Sequence, residues 1–378
     1  MVEFRQMVLR STSLLLVIAC LLCFPIFTRA EVPKAEDVLQ KMIRSSETVR
    51  FIGKRIVMSN TSNGAMMHEE LITQEIPYKK RIEFISPSEM GGLVMVLNGK
   101  EPERNMMFNK RERPPFNDRK DRKPGRRPFA PPPPMNEMDE LPIKNTRVLL
   151  QNYNVLILYG GHVARRNTYL LEIEPKIYGK PSRKVWVDTI TSVPLKMEHY
   201  DYQRKLRWIF TYNDINFNPK INDAVFRPQV PPPPRKDNSE RRQHNELWNS
   251  DKGKLDINTI KKAILMDIVA PEQLPDGFSL QSINLMRFDD HKSVHLIYSD
   301  GLMVLSVFQS PSGDEDRRNE QQREHINIWK INVKGVELEV ISDGNMLIPR
   351  WKHGDINLTL IGELDLTEMK KIAGAFIG

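Results

Sequence analysis

Apolar and polar side chains alternate through Val294, Leu296 and Tyr298. The pattern breaks at Asp300-Gly301 and resumes as Leu302, Val304, Ser306 and Phe308. Period-two alternation on both sides of an Asp-Gly pair predicts a β-hairpin, because successive strand side chains point to opposite faces and Asp-Gly suits a tight turn. Similar runs recur along the chain. Strands are expected at 49–58, 69–76, 80–86, 92–97, 105–109, 148–159, 168–174, 183–188, 194–200 and 206–215. A second set is expected at 279–288, 293–299, 302–309, 325–333, 336–342, 346–352 and 355–362. Helices frame them. One, from Ala35 to Ser46, gathers Val38, Leu39, Met42 and Ile43 on one face. A helix-like run through Ile260, Ile264 and Leu265 opens the second set. A last helix, from Asp365 to Phe376, carries a stripe of Met369, Ile372, Ala373 and Phe376, with Thr367 near its start as N-cap.

Many short strands with few helices predict large antiparallel sheets. Alternation is clearest at Leu195, Met197 and His199 and at Leu206, Trp208, Phe210 and Tyr212. One sheet face is therefore apolar and aromatic and has to be covered. Taken singly, its aromatics are ordinary core. Taken together, they line a sheet too wide for one or two helices to fill. The methionines crowded into the same region, among them Met42, Met58, Met95 and Met197, suit an adaptable apolar cavity. The cavity candidates are Phe84, Val94, Met95, Leu171, Trp186, Leu195, Met197, Trp208 and Phe210.

Composition divides the chain. Residues 111–135 and 228–254 are dense in Pro, Arg, Lys and other charged residues, and include Pro131–Pro134 and Pro231–Pro234. Such stretches cannot bury a core and are expected to be disordered or polyproline II. The first interrupts a run of strands and reads as an excursion from one domain. The second stands where the first set of strands ends and reads as a linker, so motion between domains is the default expectation.

The start of the chain carries Arg5 and Arg10, an apolar run from Leu14 to Phe27, then Thr28-Arg29-Ala30. This is the layout of a secretory signal peptide cleaved after Ala30. The alternative is a lipobox at Val17-Ile18-Ala19-Cys20, with lipidation at Cys20. It would leave apolar Leu21 to Phe27 where a polar tether is usual. Both cysteines, Cys20 and Cys23, lie in this segment, so a chain starting at Glu31 has no thiol for disulfides, nucleophilic catalysis or metal ligation. The expected division is a signal peptide at 1–30, a first domain at 31–227, a linker at 228–254 and a second domain at 255–378. The net charge of +8 would suggest nucleic acid in the cytosol. After export, the available anions are lipid headgroups, lipopolysaccharide phosphates and acidic protein segments.

The wording of two regions adds a family. Leu274-Pro-Asp-Gly-Phe278 followed by Tyr298-Ser-Asp-Gly-Leu-Met-Val-Leu-Ser-Val-Phe308 resembles the C-terminal domain of the MucB/RseB family. Gly160–Lys176 and Val185–Asp201, with its Trp-x-Asp and Pro-Leu-Lys, are similar to the N-terminal domain of that family, which shares a fold with lipoprotein carriers of the LolA/LppX type. Ala164-Arg165-Arg166 stands where the family places Ala-Gly-Arg, so Arg165 departs from the glycine. The resemblance implies an α+β protein: a large curved antiparallel half-barrel with covering helices and an acyl-chain cavity, plus a smaller α/β C-terminal domain. It implies a periplasmic negative regulator of an envelope-stress sigma factor that holds the periplasmic part of an anti-sigma factor and is released by lipopolysaccharide. Partner-binding candidates are then Asp300, Gly301, Leu302, Ser306, Phe308, Arg165 and Arg166.

No His-Glu-x-x-His, phosphate-binding glycine loop or Gly-x-Ser-x-Gly elbow occurs. His291 and His295, four apart on a predicted strand, would stand roughly 13 Å apart, too far for one metal ion. The chain therefore reads as a binding protein without catalytic residues, cofactor or metal. Its expected partners are an anti-sigma periplasmic domain and lipid or lipopolysaccharide acyl chains. Nucleic acid is not expected, membrane association is peripheral or nil, and a homo-oligomer is left open. The rival reading is a periplasmic lipid or lipoprotein carrier with no regulatory role.

Overall fold

The computed structural model describes residues 33–61, 64–88, 91–98, 105–108, 145–227, 260–261, 266–288, 291–312, 327–342 and 346–378. The expectations for 1–30, 111–135 and 228–254 lie outside these residues.

Helix α1 (Ala35–Thr48) opens the described chain, with Glu36 and Asp37 in its first turn, where the positive end of the helix dipole favours them. It buries Val38, Leu39 and Met42. Five strands follow: β1 (Phe51–Thr61), β2 (Gly64–Glu75), β3 (Lys79–Ser86), β4 (Leu93–Asn98) and β5 (Asn105–Phe108). After helix α2 (Thr146–Asn152) come β6 (Tyr153–Val163), β7 (Arg166–Pro175), β8 (Ser182–Asp188), β9 (Pro194–Tyr200) and β10 (Leu206–Asn216). These ten strands form one sheet in the order β5-β4-β3-β2-β1-β10-β9-β8-β7-β6. It is two antiparallel meanders zipped together where the first strand meets the last, with Val57 opposite Phe210 and Ser59 opposite Trp208.

The second sheet repeats this logic. Its strands are β11 (Ser279–Phe288), β12 (His291–Ser299), β13 (Val304–Pro311), β14 (Asn327–Val333), β15 (Val336–Ser342), β16 (Leu347–His353) and β17 (Ile356–Ile361). They lie in the order β11-β12-β13-β17-β16-β15-β14, two meanders joined at β13 and β17. Helix α3 (Leu366–Ile377) covers one face, packing Met369, Ile372 and Phe376 against Leu305, Val307, Leu358 and Leu360. No helix among the described residues is long and apolar enough to cross a membrane. The architecture is the expected α+β arrangement of a large antiparallel sheet with covering helices and a smaller second sheet.

Three local expectations are corrected. Residues 148–152 are helix, not strand: Asn145 accepts from the amides of Arg147 and Val148 at 3.0 and 3.3 Å, and this cap starts α2. The cap of α3 is Asp365, not Thr367, because Asp365 Oδ1 accepts from the Glu368 amide at 2.8 Å. The β12–β13 hairpin has a four-residue loop, Asp300–Met303, since Ser299 pairs with Val304. Val294, Leu296 and Tyr298 are buried as the alternation demands, but their partners across the hairpin are Gln309, Val307 and Leu305. Val304, Ser306 and Phe308 face the other way.

Candidate functional site at the joint and inner face

The two sheets meet around one buried carboxylate. Asp300 sits in the β12–β13 loop, and its Oδ1 accepts from the amides of Leu302 and Met303 at 3.1 and 2.8 Å. Its Oδ2 receives Lys180 Nζ at 2.8 Å, from the segment between β7 and β8, and the Tyr153 hydroxyl at 2.9 Å, from the start of β6. The side chains of Lys180 and Asp300 are 1% and 0% exposed. Lys180 also donates to the Asp276 carbonyl at 2.6 Å and stands 4.4 Å from the Phe278 ring centre. Burial, and then the charge of Asp300, holds the Tyr153 hydroxyl well above its ordinary range, so it stays a donor. A buried pair satisfied on both sides in this way resists separation, because parting it leaves a charge without solvent or partner.

Backbone shape brings the loop close. Gly301 has φ of +100°, and a Cβ there would fall 2.4 Å from the Leu149 amide nitrogen. Only glycine allows that approach. The next residue, Leu302, is 1% exposed and belongs to the core of the first sheet, beside Leu149 and Tyr153. Asn152 closes the seam, donating to the carbonyls of Asp300 and Gly277 at 2.9 and 3.3 Å.

A second contact stands beside it. His199 Nε2 lies 2.5 Å from Glu363 Oε2, while Arg183 Nε donates to His199 Nδ1 at 3.3 Å. An Nδ1 that accepts leaves the proton on Nε2, which points it at Glu363. Burial pushes the Glu363 carboxyl up, but the charge and hydrogen bond of His199, with Arg183 and Arg207 nearby, outweigh this and hold it below its ordinary value. The expectation of free motion between domains is thus corrected: the linker composition favours motion, but a buried ion pair, an inserted leucine and a His–Glu contact join the sheets.

This geometry also corrects part of the partner-binding set. Asp300, Gly301 and Leu302 are inside the joint and present no free surface. Ser306 and Phe308 lie on the face of the second sheet away from α3, where Phe308 stacks on His295 at 4.3 Å and Ser306 bonds its Nε2 at 2.9 Å. Arg166 is held by both oxygens of Asp188, at 2.6 and 3.1 Å. Arg165 is exposed, in a turn where it and Ala164 have φ of 62° and 49°, and pairs with Asp214 at 3.1 Å. An exposed pair of that kind holds weakly.

Of the cavity candidates, Phe84, Met95, Leu171, Leu195, Met197, Trp208 and Phe210 belong to one buried cluster with α1. Two do not. Trp186 alternates with buried Val185 and Val187, so it lies on the opposite face, 4.0 Å beneath Lys196 Nζ. Val94 packs with Val96 and Phe226 in a separate cluster. Burial by neighbouring side chains makes the inner face a packed surface in this conformation.

Sequence reasoning missed the polar residues on that face. Arg55 Nε donates to Glu70 Oε2 at 2.7 Å, His68 Nε2 lies 2.8 Å from Glu70 Oε1, and the Arg55 guanidinium stands 4.9 Å from the Phe210 ring centre. The signal was available: Arg55 shares strand parity with Phe51, Gly53 and Val57, all buried. Among the described residues, no three His, Cys, Asp or Glu side chains come together as a metal site.

Two family models match: the MucB/RseB N-terminal domain over residues 131–230 and the MucB/RseB C-terminal domain over residues 269–376. The chain belongs to the MucB/RseB family. Its fold is similar to a crystal structure of MucB in complex with MucA(peri), at 14% identity and TM-score 0.53, covering 90% of this chain and 97% of that one. A MucA/MucB complex from Pseudomonas aeruginosa is 15% identical, with TM-score 0.45 and coverage of 90% and 96%. A LolA superfamily protein from Nitrosomonas europaea is 10% identical, with TM-score 0.23 and coverage of 52% and 98%. No relative is found among the curated proteins. Both MucB/RseB domains are thus present in family order, with the joint built where they meet.

Proposed function

We propose that this chain is an exported periplasmic regulator that binds the periplasmic segment of an anti-sigma factor, restrains an envelope-stress sigma factor, and is released by lipid or lipopolysaccharide. The observation that carries the reading is the pair of MucB/RseB domains in one chain, with a fold like that of MucB crystallised with MucA(peri). The buried joint supports it physically. A clamp made of two modules gains affinity when the second is held near the first, and a joint fixes that spacing better than a linker. The net charge of +8 favours an acidic segment as partner and predicts binding that weakens with salt. The packed aromatic cluster behind Trp208 and Phe210 is the region where acyl chains would enter, displacing side chains of the inner face.

The test uses the intact mature chain and the cognate anti-sigma periplasmic segment in isothermal titration. Saturable binding that weakens with salt, and is lost on adding lipopolysaccharide, is the expected result. Absence of anti-sigma binding, with retention of lipid, would leave the carrier reading in its place.

A further inference from the structure

The second sheet has one face under α3 and one that α3 does not touch. On the untouched face the strand registers line up an apolar row. Ile297 stands opposite Ser306, and Ser306 opposite Ile361. Arg350 opposite Thr359 and Leu347 opposite Gly362 set Ile348 beside Ile361. Ile348 then pairs with Ile341, and Ile341 with Ile328. Five isoleucines therefore form a band across β12, β13, β17, β16, β15 and β14, perpendicular to the strands. Each is partly exposed, and Ile328, at the edge, is 37% exposed.

The neighbouring row is polar and holds an unmet charge. It runs Phe308, Thr359, Arg350, Glu339 and Lys330. Lys330 is paired with Glu337 at 2.6 Å. Arg350 has no ion pair among the described residues, and its Nε is buried without a hydrogen-bond partner. A guanidinium left in that state beside apolar side chains costs free energy that a carboxylate from outside would recover. An apolar band with a free arginine on one flank is the complement of an amphipathic segment with an acid on one flank.

Shape selects the form of that segment. The band crosses five strand spacings, about 24 Å at ~4.8 Å each. A helix lying along it would need about 16 residues at ~1.5 Å per residue. Helices pack well on sheet faces, as α3 does on the other side, whereas an added strand would run along a sheet edge rather than across the face.

We propose that the isoleucine face of the second sheet is a docking site for an amphipathic helix of a partner protein, about four turns long, with a carboxylate that pairs with Arg350. This surface is separate from the joint and from the inner face of the first sheet, and the proposal holds whether or not the partner is an anti-sigma factor.

The test is fluorescence anisotropy with the full mature chain and a labelled, helix-stapled 16-residue peptide with a leucine stripe and a glutamate flank. A second peptide carries lysine on the same flank. Saturable binding of the glutamate peptide is expected, weakened at least about tenfold by Ile341→Lys and by the edge variant Ile328→Lys. Arg350→Glu should reverse the preference toward the lysine peptide. Circular dichroism and unchanged Tm establish that each variant is folded, and Ile328, being exposed, can be replaced without loss of core. Equal binding by wild type and both isoleucine variants overturns the proposal. So does concentration-dependent dimerisation abolished by Ile328→Lys, which would assign the face to a second copy of the chain. Anti-sigma binding that survives Ile341→Lys and Arg350→Glu leaves the proposed function standing while this site fails to contribute to it.

Discussion

Lys180 and Asp300, separated by 120 positions in the sequence, lie 2.8 Å apart with both side chains out of contact with water. Truncating either one strands the other. Lys180→Met and Asp300→Asn should each lower the unfolding free energy by about 3–5 kcal/mol, as for other buried pairs broken on one side. The double variant Lys180→Met/Asp300→Leu should lose clearly less than the sum, because no lone charge remains. Urea unfolding followed by tryptophan fluorescence checks this. Additive losses would mean that the pair does not act as a unit.

The same pair should govern how the two sheets unfold. With the joint intact, a single transition is expected; with Asp300→Asn, the sheets should separate into two steps, since each retains its own core. Differential scanning calorimetry reads the number of transitions directly.

Acid should weaken the molecule at two identifiable points. His295, buried against Phe308, titrates at about 4 rather than 6.5, because burial penalises its charged form. A histidine depressed in the fold contributes stability in full above 6.5, and that stability fades as pH falls toward 4. His295→Gln should flatten the slope of stability against pH in that window. Glu363 acts lower down. Its depressed carboxyl contributes stability above its ordinary value of 4.5, lost as pH falls further. Glu363→Gln should remove only the lower part of the acid loss. Chemical unfolding at pH steps between 7 and 3 separates the two; identical profiles for both variants would contradict these assignments.

Alternation along a strand was readable wherever a single face is buried. Val294, Leu296 and Tyr298 are all 0% exposed, as their spacing requires. The phase of the next strand was not, because loop length decides it, and a four-residue loop held by the Asp300 side chain looks the same in sequence as a two-residue Asp-Gly turn. Trp186 illustrates a different limit. Size suggested the cavity, but parity with Val185 and Val187 places it outside, and parity carries the information. The joint was legible only in its parts. Nothing local to Lys180 marks it as buried, since its partner is chosen by tertiary approach. The LPDGF and YSDGL segments that mark the family are the two turns that grip it.

Gly301 offers the sharpest separation of joint from cores. Its φ of +100° disfavours any side chain, and the Cβ of alanine would meet backbone of α2, which has no room to yield. Gly301→Ala should therefore push the β12–β13 loop off α2 and withdraw Leu302 from the core of the first sheet. The rest of the second sheet, including Leu305 and Val307 under α3, should keep its packing. Hydrogen exchange is the measurement. Amides of α2 and of residues 300–303 should lose protection in the variant, while those of β15, β16 and β17 keep theirs. Binding of a partner that needs both modules at fixed spacing should weaken with the lost protection, and binding to one module alone should not. Unchanged protection at α2 would show that the loop accommodates a methyl group, and the close approach at Leu149 would then not be what holds the sheets together.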